Sequence, residues 1–464
     1  MSKQSGRKKG FLRTVASPFV TIGHIFIKGD WITRLSFLIM GFGNLCRGQI
    51  LKGIGFLLCQ AATVWYFIGF GWQYLSKIGT LGTTSQGKVW DEAAQIFRRT
   101  MGDNSMLILL YSVMSIFLLL FFLGLYFTSL KSAFHAQELK AMQRPLPTAR
   151  QDLRTLSNSR FHTTLLTLPT LMVVAFTVLP IVFMILMAFT NFDKSHQPPG
   201  NLFTWVGAQN FKDIFWQSSI KSYTFSQLLT WTLIWAFFST FTNYLFGMIL
   251  AIMINKKGIR LKSMWRTIFV ITIAVPQFVS LLLMSQLLHD QGPVNVLLKQ
   301  MGWIKESIPF LTDGNIARVV VIIVNMWVGI PYTMLITTGI LMNIPQDLYE
   351  AAEIDGAGPV KAFFKITLPY MLFVTTPYLI TQFVGNLNNF NVIYLLTKGD
   401  PKSVEFFQAG KTDLLVTWLY KLTVNNQEYA LASTIGILVF VISAGLSLVV
   451  YNMSGSARKE EEFQ

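Results

Sequence analysis

Three groups of residues in this chain have the types and spacing to do chemistry. "GTTSQGKV" at 82–89 puts Gly82, Gly87 and Lys88 at the spacing of a phosphate-binding loop. Val89 stands where such a loop needs a hydroxyl for Mg²⁺, and no strand pattern leads into it. An ordinary flexible loop is the expectation, and the chain itself is not expected to hydrolyse ATP. The second group is neutral. In "TQFVGNLNNFNVIYLL", Gln382, Gly385, Asn386 and Asn389 fall at i, i+3, i+4 and i+7, one face of a helix. "NMWVGIPY" adds Asn325 and Tyr332, with Gly329 and Pro331 between them to open the backbone, and "AVPQF" sets Gln277 beside Pro276. An amide in hydrocarbon is costly unless paired, so these side chains either bond neighbouring helices or line a wet path. Amides, a tyrosine and helix breaks on three neighbouring segments suit a neutral, hydroxyl-rich solute such as a sugar, whose apolar face an aromatic ring covers.

The third group is acidic: "EAAEIDGAGPVKAFFKITLP" at 350–369. Pro345 suits a first helical turn, and Asp347, Glu350 and Glu353 favour an N-terminal half. Ala351 and Ala352 allow close approach by another surface, and Gly356 can take positive φ to end the helix. A second short helix, "VKAFFKI", then leads to Leu368-Pro369, which starts the next apolar run. The pattern reads either as a docking elbow or as a plain amphipathic loop.

The elements that hold these groups are membrane spans. Of 464 residues, 52% are hydrophobic and 13% charged, against about 25% charged in soluble domains. Eight apolar runs reach spanning length, at about 52–71, 106–129, 164–189, 226–254, 265–288, 318–342, 368–388 and 430–452. The segment 35–45 is too short to cross and is expected to be an interfacial or re-entrant helix. The fold class is all-α and polytopic. A basic segment 1–50 precedes two N-terminal spans (51–129), a linker (130–162), six core spans (163–452) that include the loop 343–369, and a tail from 453 to 464.

The net charge of +16 does not point to nucleic acid. With both termini inside the cell, 24 Lys/Arg face inward and 13 outward, while acids divide 10 to 12. That is the positive-inside asymmetry of a membrane protein, and it places 343–367 in the cytoplasm. Cys46 and Cys59 form no disulfide framework, and five scattered histidines offer no metal-ligand spacing; no metal or cofactor is expected. Spans four to seven carry essentially no ionisable group, which disfavours a proton relay. Uphill transport is then expected to draw its energy from another subunit, with a sodium-coupled sugar carrier, its ion held by carbonyls and hydroxyls, as the alternative of a different class.

"EAA", three residues, Gly356, nine residues and "ITLP" resemble the EAA motif of membrane subunits of binding-protein-dependent ABC importers. "VNMWVGIPY", "GNLNNFNVIYLLTKGDP" and "GKTDLLVTWLYKL" look more narrowly like maltose/maltodextrin permeases of the MalF type, over roughly 160–455. The resemblance implies a six-helix permease core that imports maltose or maltodextrins, or another oligosaccharide through the same machinery. It implies a second permease subunit (MalG-type), two copies of a cytoplasmic ABC ATPase and an extracellular sugar-binding protein. Glu350, Ala351, Ala352, Gly356, Ile366, Leu368 and Pro369 would couple to the ATPase. Gln277, Asn325, Val328, Gly329, Tyr332, Gln382, Gly385, Asn386 and Asn389 would meet sugar, although Gln277, Gln382 and Gly385 depart from the residue types of well-known members. Only about 35 residues, 190–225, lie between spans three and four, which resembles Gram-positive members whose binding protein is a lipoprotein.

Overall fold

The computed structural model describes residues 20–453 apart from 93, 94, 218 and 257; the basic head and the tail lie outside the described residues. Among the described residues, seven helices are long and apolar enough to cross a bilayer, and one sharply bent pair counts as an eighth if taken as one span, in agreement with the expected spans. Hydrocarbon offers backbone groups no partner, so each span must satisfy its own N–H and C=O groups as a helix. The chain divides into two compact units, Met1–Trp205 and Val206–Gln464.

The first unit holds spans Ile50–Leu75, Ser105–Ala141 and Phe161–Met187. Asn104 starts the second of them by accepting bonds from the N–H groups of Met106 and Leu107 at 3.1 and 3.2 Å. The stretch around 35–45 is not one helix. It forms two short helices, Trp31–Leu35 and Phe42–Leu45, with left-handed Gly41 at the start of the second. Arg47 ties them together. Its guanidinium, 2% exposed, reaches the Asp30 carboxylate at 2.6 and 2.8 Å, the Thr33 hydroxyl at 2.8 Å and the carbonyls of Gly43 and Ala133 at 3.1 and 3.0 Å. Burial pushes the Asp30 carboxyl up, but the bonds from Arg47 and Thr33 outweigh it and hold the group below its ordinary value.

Residues 82–89 are also not a plain loop. Gly87–Asp91 pairs antiparallel with Ile96–Thr100, and Lys88 lies opposite Arg99. A phosphate loop needs a helix N-terminus after its second glycine, and here a strand follows instead.

The second unit holds spans Ile220–Asn255, Gly314–Leu341, Pro359–Leu387 and Tyr429–Asn452 together with the bent pair. In the apolar 18-residue stretch of the fourth span 44% is buried within the protein, and in that of the sixth 33%, more than in the other spans of this unit, so these two form its centre. They cross closely: a Cβ at Gly247 would sit 2.7 Å from Thr333 Cβ and 3.0 Å from the Met334 nitrogen. The fifth span breaks by 86° between Lys262–Ala274 and Gln277–Leu287, because Val275 and Pro276 are extended, with ψ of 125° and 127°. The sixth was expected to open at Gly329 and Pro331, yet it runs unbroken from Gly314 to Leu341. Pro331 is buried within that continuous helix.

On the far side of the seventh span, Phe390–Leu396 and Leu415–Tyr420 fold back over the ends of the fourth and sixth. Trp231 and Trp235 anchor them through indole bonds to the carbonyls of Thr412 (3.2 Å) and Asn386 (3.1 Å). Asp413, fully buried, pairs with Lys421 at 2.6 Å and accepts the Gly410 N–H at 2.7 Å.

Arg47→Ala leaves the buried carbonyls of Gly43 and Ala133 without its bonds, at about 1–3 kcal/mol for an unsatisfied buried group, while the Asp30 carboxylate, 41% exposed, turns to water. The melting temperature of the purified protein in detergent is expected to fall markedly, whereas Lys140→Ala on the exposed end of Ser105–Ala141 leaves it unchanged.

Candidate functional site

Beside the Gly247 crossing, the fourth, sixth and seventh spans enclose a crevice of about 40 Å³. The fourth contributes Ser239, Thr240 and Asn243; the sixth Gly329, Tyr332 and Thr333; the seventh Tyr378, Leu379 and Gln382. Every polar group on its wall is a neutral amide, hydroxyl or phenol. Ser239 Oγ and Asn243 Oδ1 are buried without a hydrogen-bond partner, and so is Asn325 Nδ2 one helical turn from Gly329. Unspent donors and acceptors in an apolar slab cost free energy. They are retained where something polar takes them up.

The residues picked from sequence separate on inspection. Gly329, Tyr332 and Gln382 line the crevice together, and Tyr332 is half exposed. Gly329 is small because the Asn243 side chain lies where its Cβ would be. Asn386 is buried, and its bonds run within the protein: Nδ2 donates to Thr240 Oγ1 at 3.0 Å and Oδ1 accepts from Asn389 Nδ2 at 3.3 Å. Asn389 does not share the helix face of Gln382. The helix ends at Leu387, and Asn389 caps the next one, accepting the Val392 N–H at 3.2 Å. Gly385 is exposed, Val328 is half-buried, and neither lines the crevice. Gln277 sits exposed at the break of the fifth span, also outside the crevice. The fourth span, which sequence reasoning left out, supplies one wall. Its signal was a polar and small stripe, Thr232, Ser239, Asn243 and Gly247, at helical spacing in an otherwise apolar run.

The acidic stretch forms an elbow. Gln346–Ile354 is a helix with Pro345 at its cap position rather than inside its first turn. Gly356, at φ +73°, closes it: the Gly356 N–H bonds Glu353 O at 3.0 Å and the Ala357 N–H bonds Ala352 O at 2.8 Å. The expected second helix is not separate. Pro359–Leu387 is continuous, with a wider turn at Phe363–Thr367 just before Leu368-Pro369. The same turn, Val174–Val178, precedes Leu179-Pro180 in the third span. Proline lacks the N–H for the carbonyl four residues back, and the widened turn absorbs the misfit without ending the helix.

Two faces of the elbow differ. Ile366 and Leu368 pack inward with Tyr349 against Tyr244, Met248 and Met371, and the Tyr349 hydroxyl meets Thr367 Oγ1 at 2.8 Å. Glu350, Ala351, Gly356 and Pro369 are exposed, Ala352 half so. Around them Leu348, Ile354, Val360 and Phe364 are exposed at 46, 86, 71 and 59%. The elbow thus presents an exposed apolar outer face.

Residues 243–455 match the family model described as "binding-protein-dependent transport system inner membrane component". Two Bacillus subtilis proteins are similar along nearly their whole length. The galactooligosaccharides transport system permease protein GanP is 35% identical, covering 92% of this chain and 99% of its own. The maltodextrin transport system permease protein MdxF is 32% identical, covering 94% and 99%. A solved bacterial ABC transporter involved in the import of the acidic polysaccharide alginate shares the fold, with a TM-score of 0.54 and 22% identity over 66% of this chain and 98% of the matched one. The chain belongs to the family of binding-protein-dependent transport system inner membrane components.

The crossing makes two glycine substitutions unequal. At Gly247 a methyl group meets backbone, whereas at Gly329 it meets a side-chain amide that can swing aside. Gly247→Ala is expected to cost about 1–3 kcal/mol and Gly329→Ala less, measured by thermal melts in detergent. Asn386→Ala, which removes two internal bonds, is expected to lower the melt by about 1 kcal/mol, and Tyr332→Ala to leave it unchanged.

Proposed function

We propose that this chain is the larger membrane subunit of an ABC importer for neutral oligosaccharides of the maltodextrin or galactooligosaccharide kind. The observation that carries the neutral reading is the crevice, whose lining residues are amides, hydroxyls and phenols without a charge. An acidic polysaccharide would call for Arg or Lys there. Maltose and maltodextrins remain the leading substrates, on the motifs around Tyr332 and Asn389. Galactooligosaccharides are the second reading, supported by the 35% identity to GanP against 32% to MdxF.

In this mechanism Tyr332, Gln382, Ser239 and Asn243 take up sugar hydroxyls as the fourth, sixth and seventh spans separate. Gln277, Asn325, Val328, Gly385 and Asn389 reach sugar in that wider state, and Asn386 holds the wall through Thr240. A second permease subunit completes the path, and an extracellular binding protein delivers the sugar. The elbow docks on a cytoplasmic ATPase, with Glu350, Ala351 and Ala352 at the contact, Gly356 fixing its bend, and Ile366, Leu368 and Pro369 relaying its movement into the seventh span. Both termini lie in the cytoplasm.

Uptake of labelled maltotriose and galactotriose by cells carrying the complete importer tests the pathway. Tyr332→Ala is expected to cut uptake of the cognate sugar while assembly and basal ATPase activity persist. Transport of uronate oligosaccharides in preference to both neutral sugars would overturn the reading. Glu350→Lys is expected to abolish uptake and ATPase copurification but not membrane insertion, and normal values of both would sink the docking role. For orientation, Cys46 and Cys59, both free and exposed, are first replaced. Met342→Cys should then resist an impermeant thiol reagent in intact cells, and Asn201→Cys should react.

A further inference from the structure

A cleft of about 930 Å³ lies where the Ile50–Leu75 and Ser105–Ala141 helices meet the linker helix Ala149–Ser157. It is lined by both apolar and basic side chains. Ser105–Ala141 is 37 residues long, about 55 Å at 1.5 Å per residue, while hydrocarbon takes up ~30 Å. Between Ser105 and Lys131 it carries no charged residue, so Lys131 marks its exit from the membrane. Phe127, Lys131, His135 and Leu139 follow at four-residue steps on the face that lines the cleft. Phe127 sits at the hydrocarbon edge, and the Lys131 ammonium lies 4.3 Å from its ring centre. Lys52 and Arg160 bring two more cations to the wall, against one carboxylate, Asp152, which bonds Lys52 at 3.2 Å. The cleft therefore carries a net positive charge at headgroup depth.

The linker helix forms the opposite wall. It is short and polar, started by a Thr148–Gln151 capping box, yet it turns Leu153 and Leu156 into the cleft, exposed at 64 and 43%. Leu51, 71% exposed, adds to the apolar lining. Cations and exposed leucines within one cavity match the two ends of a single kind of molecule.

We propose that this cleft binds an anionic phospholipid, with its phosphodiester at Lys131, Arg160 and Lys52 and its acyl chains along Leu51, Phe127, Leu153 and Leu156. The lipid clamps the linker helix to the two N-terminal spans. Basic pockets between helices at the inner leaflet recognise such headgroups by charge, and the apolar wall separates a lipid from free phosphate.

The test uses the full-length protein purified in neutral detergent and exposed to equimolar phosphatidylglycerol and phosphatidylcholine, with retained lipid counted by native mass spectrometry. Wild-type protein is expected to retain phosphatidylglycerol selectively. Lys131→Gln and Arg160→Gln should each lower retention about fivefold, the factor corresponding to ~1 kcal/mol per basic side chain near anionic lipid. Leu153→Ser, a change at an exposed position, should also lower it, with melting in lipid-free detergent unchanged for all three variants. Inorganic phosphate in large excess should not displace the lipid. Equal retention of both lipids, displacement by phosphate, or full retention in Leu153→Ser would each overturn the proposal.

Discussion

The close crossing of the fourth and sixth spans is the constraint on which the second unit depends. Without hydrophobic drive between helices in lipid, association rests on dispersion and on how near two backbones can come. Gly247 lets the fourth span approach the Thr333–Met334 backbone, and Gly329 receives Asn243 from the other side. Thr337 continues the contact, its hydroxyl bonding inside its own helix to Thr333 O at 2.8 Å. Because the two helices touch there, the polar side chains one turn away cannot close on one another. The crevice is what remains between backbones held apart by their own geometry, with the seventh span as its third wall.

The seventh span connects that crevice to the elbow. Tyr244 bonds Thr375 at 2.8 Å in the middle of the span, Tyr349 bonds Thr367 at its start, and Gln382 and Asn386 stand near its end. One continuous helix from Pro359 to Leu387 thus meets the inner face of the elbow at one end and the polar wall at the other. The widened turn at Phe363–Thr367 and the internal Pro377 are its irregular points.

Much of the chain's surface makes sense only as an interface. None of the most apolar window of Phe161–Met187 is buried within the protein, and the apolar outer face of the elbow is similarly open. The first is suited to lipid or to another membrane chain, the second to a protein in water. The ion pairs Arg47–Asp30 and Lys421–Asp413, each with one fully or nearly buried member, stand outside the spans.

The spans, the topology class and the elbow were legible in the sequence because each rests on local chemistry. Twenty apolar residues must be a helix in hydrocarbon whatever lies around them, and an acidic helix followed by a left-handed glycine writes its own ending. Tyr332, Gly329 and Gln382 were also correctly brought together, since glycine and amides in an apolar run are costly enough to need a reason. What the sequence did not determine were the outcomes that depend on neighbours. Pro331 and Pro369 looked like breaks, but both helices run on through them, the second by a widened turn, whereas Pro276, with an extended residue before it, did break its span by 86°. Asn386 and Asn389 sat at helical spacing, yet the helix ended between them, and their amides bonded each other and Thr240. The fourth span entered the site through Ser239 and Asn243, residues roughly 90 positions from Tyr332 along the chain. Periodicity within one helix shows which side chains share a face. Only the crossing at Gly247 decided which faces meet, because two helices in lipid associate where their surfaces fit, and that fit belongs to the pair.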